Sequence, residues 1–66
     1  MSEVNNRIAV LRAELKISQQ ELADAIDVSR KTISTIETGR FTPSVTIALK
    51  LAGYFNVAVE EIFSLN

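Results

Sequence analysis

Two helix starts lie eleven residues apart in the middle of this chain, so close that only two short helices meeting at a corner can fill the interval. Ser18 and Glu21 stand at the spacing of a capping box, in which the Ser18 hydroxyl accepts from the Glu21 amide while the Glu21 carboxylate reaches back. Ile17 and Leu22 occupy the two positions of a hydrophobic staple, and Val28 and Ile33 repeat that arrangement around Ser29. The second helix of the chain therefore begins at Gln19 and the third at Arg30. Leu22, Ala23 and Ile26 form one apolar face, Ile33 and Ile36 form the next, and Gly39 is placed to close the third helix in a left-handed C-terminal cap. About three residues remain for the corner.

The rest of the chain reads as helices around that unit. Val4, Ile8, Leu11 and Leu15 recur at helical spacing, which predicts a first helix over about Asn5 to Lys16, with Arg7, Glu14 and Lys16 off the stripe. After Gly39, the residues Arg40, Phe41 and Thr42 form a loop, Pro43 suits a first helical turn, and Ser44 or Thr42 can cap a fourth helix running to about Phe55. Val45, Ala48, Leu51, Ala52 and Phe55 make its inner stripe. Ile47, Leu49 and Tyr54 add apolar surface beyond it, the mark of a helix buried on most sides or one that also meets a partner. A last short helix, about Val59 to Phe63, carries Glu60 and Glu61 in its first turn, where the helix dipole favours anions. Ala58 stands at its cap and forgoes roughly 0.5 to 2 kcal/mol of capping. Met1 to Asn5 and Ser64 to Asn66 can also pair as short strands. With no repeat, linker or low-complexity segment, residues 1–66 are expected to form one domain, an all-α five-helix orthogonal bundle.

A domain of 66 residues buries only about 60% of its unfolded surface, which leaves little room for a substrate cleft. The absence of cysteine and histidine excludes disulfides, cysteine or histidine metal sites and the general base most often used near neutral pH. Glu60 and Glu61 are adjacent and so point about 100° apart on a helix, where they cannot converge on a substrate or a metal. Neither an enzyme nor a cofactor, metal or small-molecule ligand is expected. No apolar run approaches the roughly 18 residues of a membrane span, and Met1 to Asn6 lack the layout of a signal peptide, so a cytoplasmic protein is expected. The net charge of -1 argues weakly against a nucleic-acid partner. Its distribution matters more: residues 29 to 43 hold Arg30, Lys31 and Arg40 against the single acid Glu37, a local +2.

The pattern Ser18-Gln19-Gln20-Glu21-Leu22-Ala23, then Val28-Ser29, Thr32-Ile33-Ser34, Ile36-Glu37, Gly39 and Pro43-Ser44 resembles the lambda-repressor-like helix-turn-helix regulators of the Cro/C1, or xenobiotic-response-element, type. The resemblance runs from about Ile8 to Phe63. It implies a sequence-specific transcriptional regulator, usually a repressor, whose third helix lies in the major groove of double-stranded DNA while the second crosses above it. Gln19 is similar to the family's phosphate-gripping glutamine. Ser29, Arg30, Lys31, Ser34 and Thr35 fall where the family reads bases: Arg30 and Lys31 to guanine, Thr35 touching a thymine methyl or donating to a base edge. Arg40, with Thr42, Ser44 and the amides around them, fits a second phosphate clamp. Arg12 and Glu37 match positions of a structural ion pair between the first helix and the end of the third.

The chain departs from the family pattern at Asp27, where glycine is common in the turn; aspartate can enter the left-handed region at some strain. One such module touches few phosphates, so a homodimer on a pseudo-palindrome is expected, for which Tyr54, Val57, Val59, Ile62, Phe63 and Leu65 are interface candidates; the alternative is that Ile62 and Phe63 close the monomer core, and for Phe63 the two readings stand even. A different class of function is carried by the same fold: an antitoxin or adaptor module whose main partner is another protein.

Overall fold

In the computed structural model, which describes residues 3–66, the helix ends follow from local chemistry. The elements run β1 (Val4–Asn6), α1 (Ile8–Leu15), α2 (Gln19–Ile26), α3 (Arg30–Glu37), α4 (Val45–Phe55), α5 (Val59–Ile62) and β2 (Phe63–Leu65). Ser18 caps α2 as the spacing requires: its hydroxyl accepts from the Glu21 amide at 3.0 Å and its own amide donates to the Glu21 carboxylate at 3.0 Å. Ser29 accepts from the Thr32 amide at 3.1 Å to start α3, and Ser44, not Thr42, accepts from the Ile47 amide at 3.2 Å to start α4. At α5 half a capping box is present, because Glu61 accepts from the Ala58 amide at 2.8 Å while alanine has nothing to return.

The closing turns are equally local. Gly39 has a φ of 77°, its amide donates to the Ile36 carbonyl and that of Arg40 to the Thr35 carbonyl, the paired bonds of a Schellman motif. Asp27, at a φ of 61°, ends α2 in the same left-handed conformation, as do Lys16 at 58° after α1 and Asn56 at 58° after α4. The corner between α2 and α3 is thus Asp27, Val28 and Ser29.

The core takes residues from every helix: Ile8 from α1, Leu22, Ala23 and Ile26 from α2, Ile33 and Ile36 from α3, Leu51 from α4 and Ile62 from α5. Each fully buried Leu or Ile contributes roughly 1.5 to 3 kcal/mol, so a bundle this small depends on all of them. Lys50 of α4 donates to the Ile26 carbonyl at 3.3 Å, tying the fourth helix to the open end of the second.

Among the described residues five helices form, as the sequence leads one to expect, and they are closed by a two-stranded antiparallel ribbon that pairs Val4 with Leu65, Asn5 with Ser64 and Asn6 with Phe63. β1 ends one residue past its expected segment and β2 is shifted by one residue toward the N-terminus of its own, and Met1 and Ser2 of the expected first segment lie outside the described residues. This shortens two helices. Asn5 and Asn6 are strand, not helix, because the Asn6 side chain accepts from the Ile8 amide and donates to the Ile36 carbonyl at 3.0 Å, which starts α1 at Ile8, three residues later than expected, and pins it to α3. Phe63 leaves α5 for the same ribbon.

Three burial expectations are corrected. Val45 is 75% exposed, since it stands at the first position of α4, ahead of the turn that meets the core, and half-buried Ile47 packs there instead. Leu15, at the last position of α1, is likewise exposed. Ile62 is 1% exposed and belongs to the monomer core, so it is no interface residue; Val57 and Phe63 are half-buried against that core.

Candidate nucleic-acid interface

α3 turns Ile33 and Ile36 into the core and leaves the opposite face to solvent. Arg30 and Lys31 are exposed on that face, and Ser34 and Thr35 are half-buried beside them. Two shallow depressions mark the surface. One is lined by Gln19, Arg30, Lys31 and Ser34, the other by Ser29, Lys31, Thr32, Thr35 and Phe41, with Lys31 on the border of both. The five residues expected to read bases, together with Gln19, therefore share one continuous surface. Arg40 is exposed just beyond the α3 cap. Thr42 and Ser44 line a separate apolar depression with Val4, Val45, Val59 and Phe63, and so do not join Gln19 there.

Electrostatics separate the cations of this surface from the buried one. Among the described residues the ion pair within 4 Å is Arg12–Glu37, at 2.6 Å between Nε and a carboxylate oxygen, with Nη2 on the other oxygen at 3.2 Å. This two-point grip joins α1 to the last residue of α3, and its side chains are only 19% and 9% exposed. Arg12 also donates through Nη1 to the Ile17 carbonyl at 3.0 Å. Its guanidinium is held above its ordinary range, first by the hydrogen bond to Glu37, against partial desolvation, and then by the carboxylate's charge. Gln19 completes the cluster by donating its side-chain amide to Glu37 at 3.1 Å. Arg30, Lys31 and Arg40 have no acidic partner among the described residues and present their charge to solvent.

The threonine hydroxyls of this surface make hydrogen bonds within the protein. Thr35 donates to the Lys31 and Thr32 carbonyls, both at 3.0 Å, bonds with which a base edge has to compete. Thr32 and Ser29 hydroxyl oxygens lie 2.9 Å apart in a bond of their own. Reading the sequence missed Thr32 and Phe41 as parts of this surface. Thr32 was detectable from its i−3 position relative to Thr35, whereas nothing local to the loop signals where the Phe41 ring settles.

A helix-turn-helix family profile matches residues 8–62, most of the chain and all five helices. The chain belongs to the Cro/C1-type helix-turn-helix regulators. It is 40% identical over 60 residues to an uncharacterised HTH-type transcriptional regulator of Methanocaldococcus jannaschii, covering 91% of each chain. It is 34% identical over 59 residues to the immunity repressor protein of Bacillus phage phi105, covering 89% of this chain but 41% of the repressor. Among solved structures, a protein of Bacteroides fragilis provisionally described as DNA-binding superposes with a TM-score of 0.81 at 30% identity, over 92% of this chain and 98% of the other. The helix-turn-helix family is one of transcription regulators, not of enzymes. No helix among the described residues is long and apolar enough to cross a membrane.

Proposed function

We propose that this helix-turn-helix protein binds a pseudo-palindromic operator as a homodimer, with α3 of each copy in a major groove, and represses transcription by occupying the site. The observation that carries this reading is the division of α3 into a buried face, Ile33 and Ile36, and an open face with the cations Arg30 and Lys31, which have no acidic partner among the described residues. Arg30 and Lys31 donate to guanine edges, Ser29 and Ser34 border them, and Thr35 offers its methyl. Gln19 and Arg40 take phosphates on either side, with Ser44, whose hydroxyl hydrogen is not used by its capping bond, and Thr42 near the α4 N-terminus. The Arg12–Glu37–Gln19 cluster acts one step back, holding α3 and the phosphate-binding glutamine in one frame. Similarity to a phage immunity repressor supports repression as the sign of control.

The module's Cα envelope measures 27 × 23 × 21 Å, so two copies in contact bring equivalent helices to within about one turn of duplex, about 34 Å. The surface best suited to the second copy is the exposed apolar set Val45, Leu49 and Leu65, continuous with the depression lined by Val4, Val59 and Phe63. Tyr54 lies further along α4 and is a rim residue at most. The same apolar face would suit an unrelated protein chain, as in an antitoxin or adaptor, and salt dependence separates the readings. A DNA-reading dimer loses affinity steeply with salt, whereas an adaptor binds DNA feebly at all ionic strengths.

Selection of bound fragments from a random DNA pool tests binding, symmetry and half-site spacing together. On the selected operator, Arg30→Ala and Thr35→Ala should reduce discrimination against random DNA, while Gln19→Ala and Arg40→Ala should weaken both alike. Equal losses on both DNAs for all four variants would refute the assignment of roles.

A further inference from the structure

An aromatic ring stands at the reading surface where neither the helix pattern nor the charge pattern calls for one. Phe41 is 46% exposed, outside the core, and lines the depression on the open face of α3 with Ser29, Lys31, Thr32 and Thr35. Most hydroxyl groups nearby are engaged within the protein. Thr35 Oγ1 donates back to two carbonyls of its own helix, and Thr32 Oγ1 is bonded to the Ser29 hydroxyl. What this spot offers an outside partner is therefore the Thr32 and Thr35 side chains, the Phe41 ring and the Lys31 side chain, with one hydroxyl hydrogen left over from the Ser29–Thr32 pair. Around it stand Arg30, the Lys31 ammonium and Arg40, all exposed and without acidic partners among the described residues.

We infer that this niche is a receptor for the 5-methyl group of a pyrimidine in the major groove, and that Phe41 is a specificity-determining residue. The inference rests on the DNA-binding reading above and adds to it the class of base read at one position. An apolar spot inside a cationic rim suits a duplex, whose phosphates satisfy the rim while the thymine methyl is the one apolar group on the major-groove edges of the bases. A second copy of the chain would bring like charge against like charge at the same rim, which disfavours it as the occupant. Thymine and 5-methylcytosine carry the same methyl group, so either can fill the niche.

The test uses the full chain and the operator recovered by selection, with each thymine replaced singly by uracil and affinities measured by fluorescence anisotropy. Removing a buried methyl should weaken binding about four-fold per half-site at one position, and about sixteen-fold when both half-sites of a dimer site are changed, the fold-change that about 0.8 kcal/mol per methyl implies. Phe41→Ala and Thr35→Ser, the second keeping the hydroxyl and deleting only a methyl, should each shrink the thymine-to-uracil ratio toward one. A selected site with cytosine at that position that tightens when the cytosine is 5-methylated assigns the natural source to 5-methylcytosine and supports the niche equally. Operator binding that is tight and indifferent to every uracil substitution overturns the niche while leaving the DNA-binding reading intact. So does an undiminished uracil effect in Phe41→Ala. Failure to recover any operator overturns both. Phe41 lies outside the core, and the uracil series needs no protein variant, so misfolding cannot imitate these results.

Discussion

Replacing Arg12 by methionine isolates what the bridge between α1 and α3 contributes. Methionine keeps most of the stem's packing but removes the guanidinium, leaving the Glu37 carboxylate, 9% exposed, with the Gln19 amide as its remaining side-chain donor. Removing one partner of a fully buried pair costs about 3 to 5 kcal/mol, because the other charge is left uncompensated. Arg12 is 19% exposed and water can reach part of the gap, so a loss of about 2 to 3 kcal/mol is expected, including the hydrogen bond to the Ile17 carbonyl. A chain of 66 residues has roughly 3 to 10 kcal/mol of stability in all. The variant should therefore melt roughly 10 to 20 °C below the parent. Urea titrations followed by circular dichroism on the parent, Arg12→Met, Glu37→Gln and the double variant complete a thermodynamic cycle. The double variant should be more stable than Arg12→Met, with a coupling of at least about 1 kcal/mol. An Arg12→Met variant within about 0.5 kcal/mol of the parent would mean that the two groups behave as independent surface charges, and the reasoning would fail.

The left-handed residues give a graded comparison. Asp27→Gly should be neutral or stabilising by up to about 0.5 kcal/mol, and Lys16→Gly should gain more, about 0.5 to 1 kcal/mol, since lysine lacks aspartate's short polar side chain to ease that conformation; thermal melts that rank them the other way would contradict this. Ala58→Ser supplies the missing half of the α5 capping box and should add about 0.5 to 1 kcal/mol, read as a rise of a few degrees in Tm. Leu49→Glu and Val45→Asp should leave the melting of the monomer nearly unchanged, both residues being exposed and Asp suiting a first helical position, yet abolish the dimer in sedimentation velocity. A dimer that survives both substitutions would move the interface elsewhere.

Much of this fold is legible because its punctuation is local. Ser18, Glu21, Ser29 and Gly39 each act on groups within five residues, so spacing alone places α2, α3 and the corner between them. The departure at Asp27 is visible for the same reason, and the structure puts it in the left-handed region. What the sequence hides is set by distant partners. Val4 fits a helical stripe with Ile8, yet its backbone pairs with Leu65 at the other end of the chain, and no periodicity within one segment carries that information. Val45 and Leu15 continue apolar stripes past the point where the core ends, so pattern alone buries them. At the candidate interface, the cations and the caps are readable from residue type, while the commitment of the Thr35 hydroxyl to its own helix and the position of Phe41 depend on rotamer and loop path.

The ribbon joins residues that are sequence strangers: the Asn66 amide donates to the Glu3 carbonyl at 2.9 Å. Its pairing closes the longest loop among the described residues, and so carries the largest loop-closure entropy of the contacts described. A short linker from Asn66 to Glu3 would turn that long-range pairing into a hairpin. New termini could then be opened in an exposed loop such as Arg40 to Thr42, giving a permutant whose longest-range contact has become one of its most local.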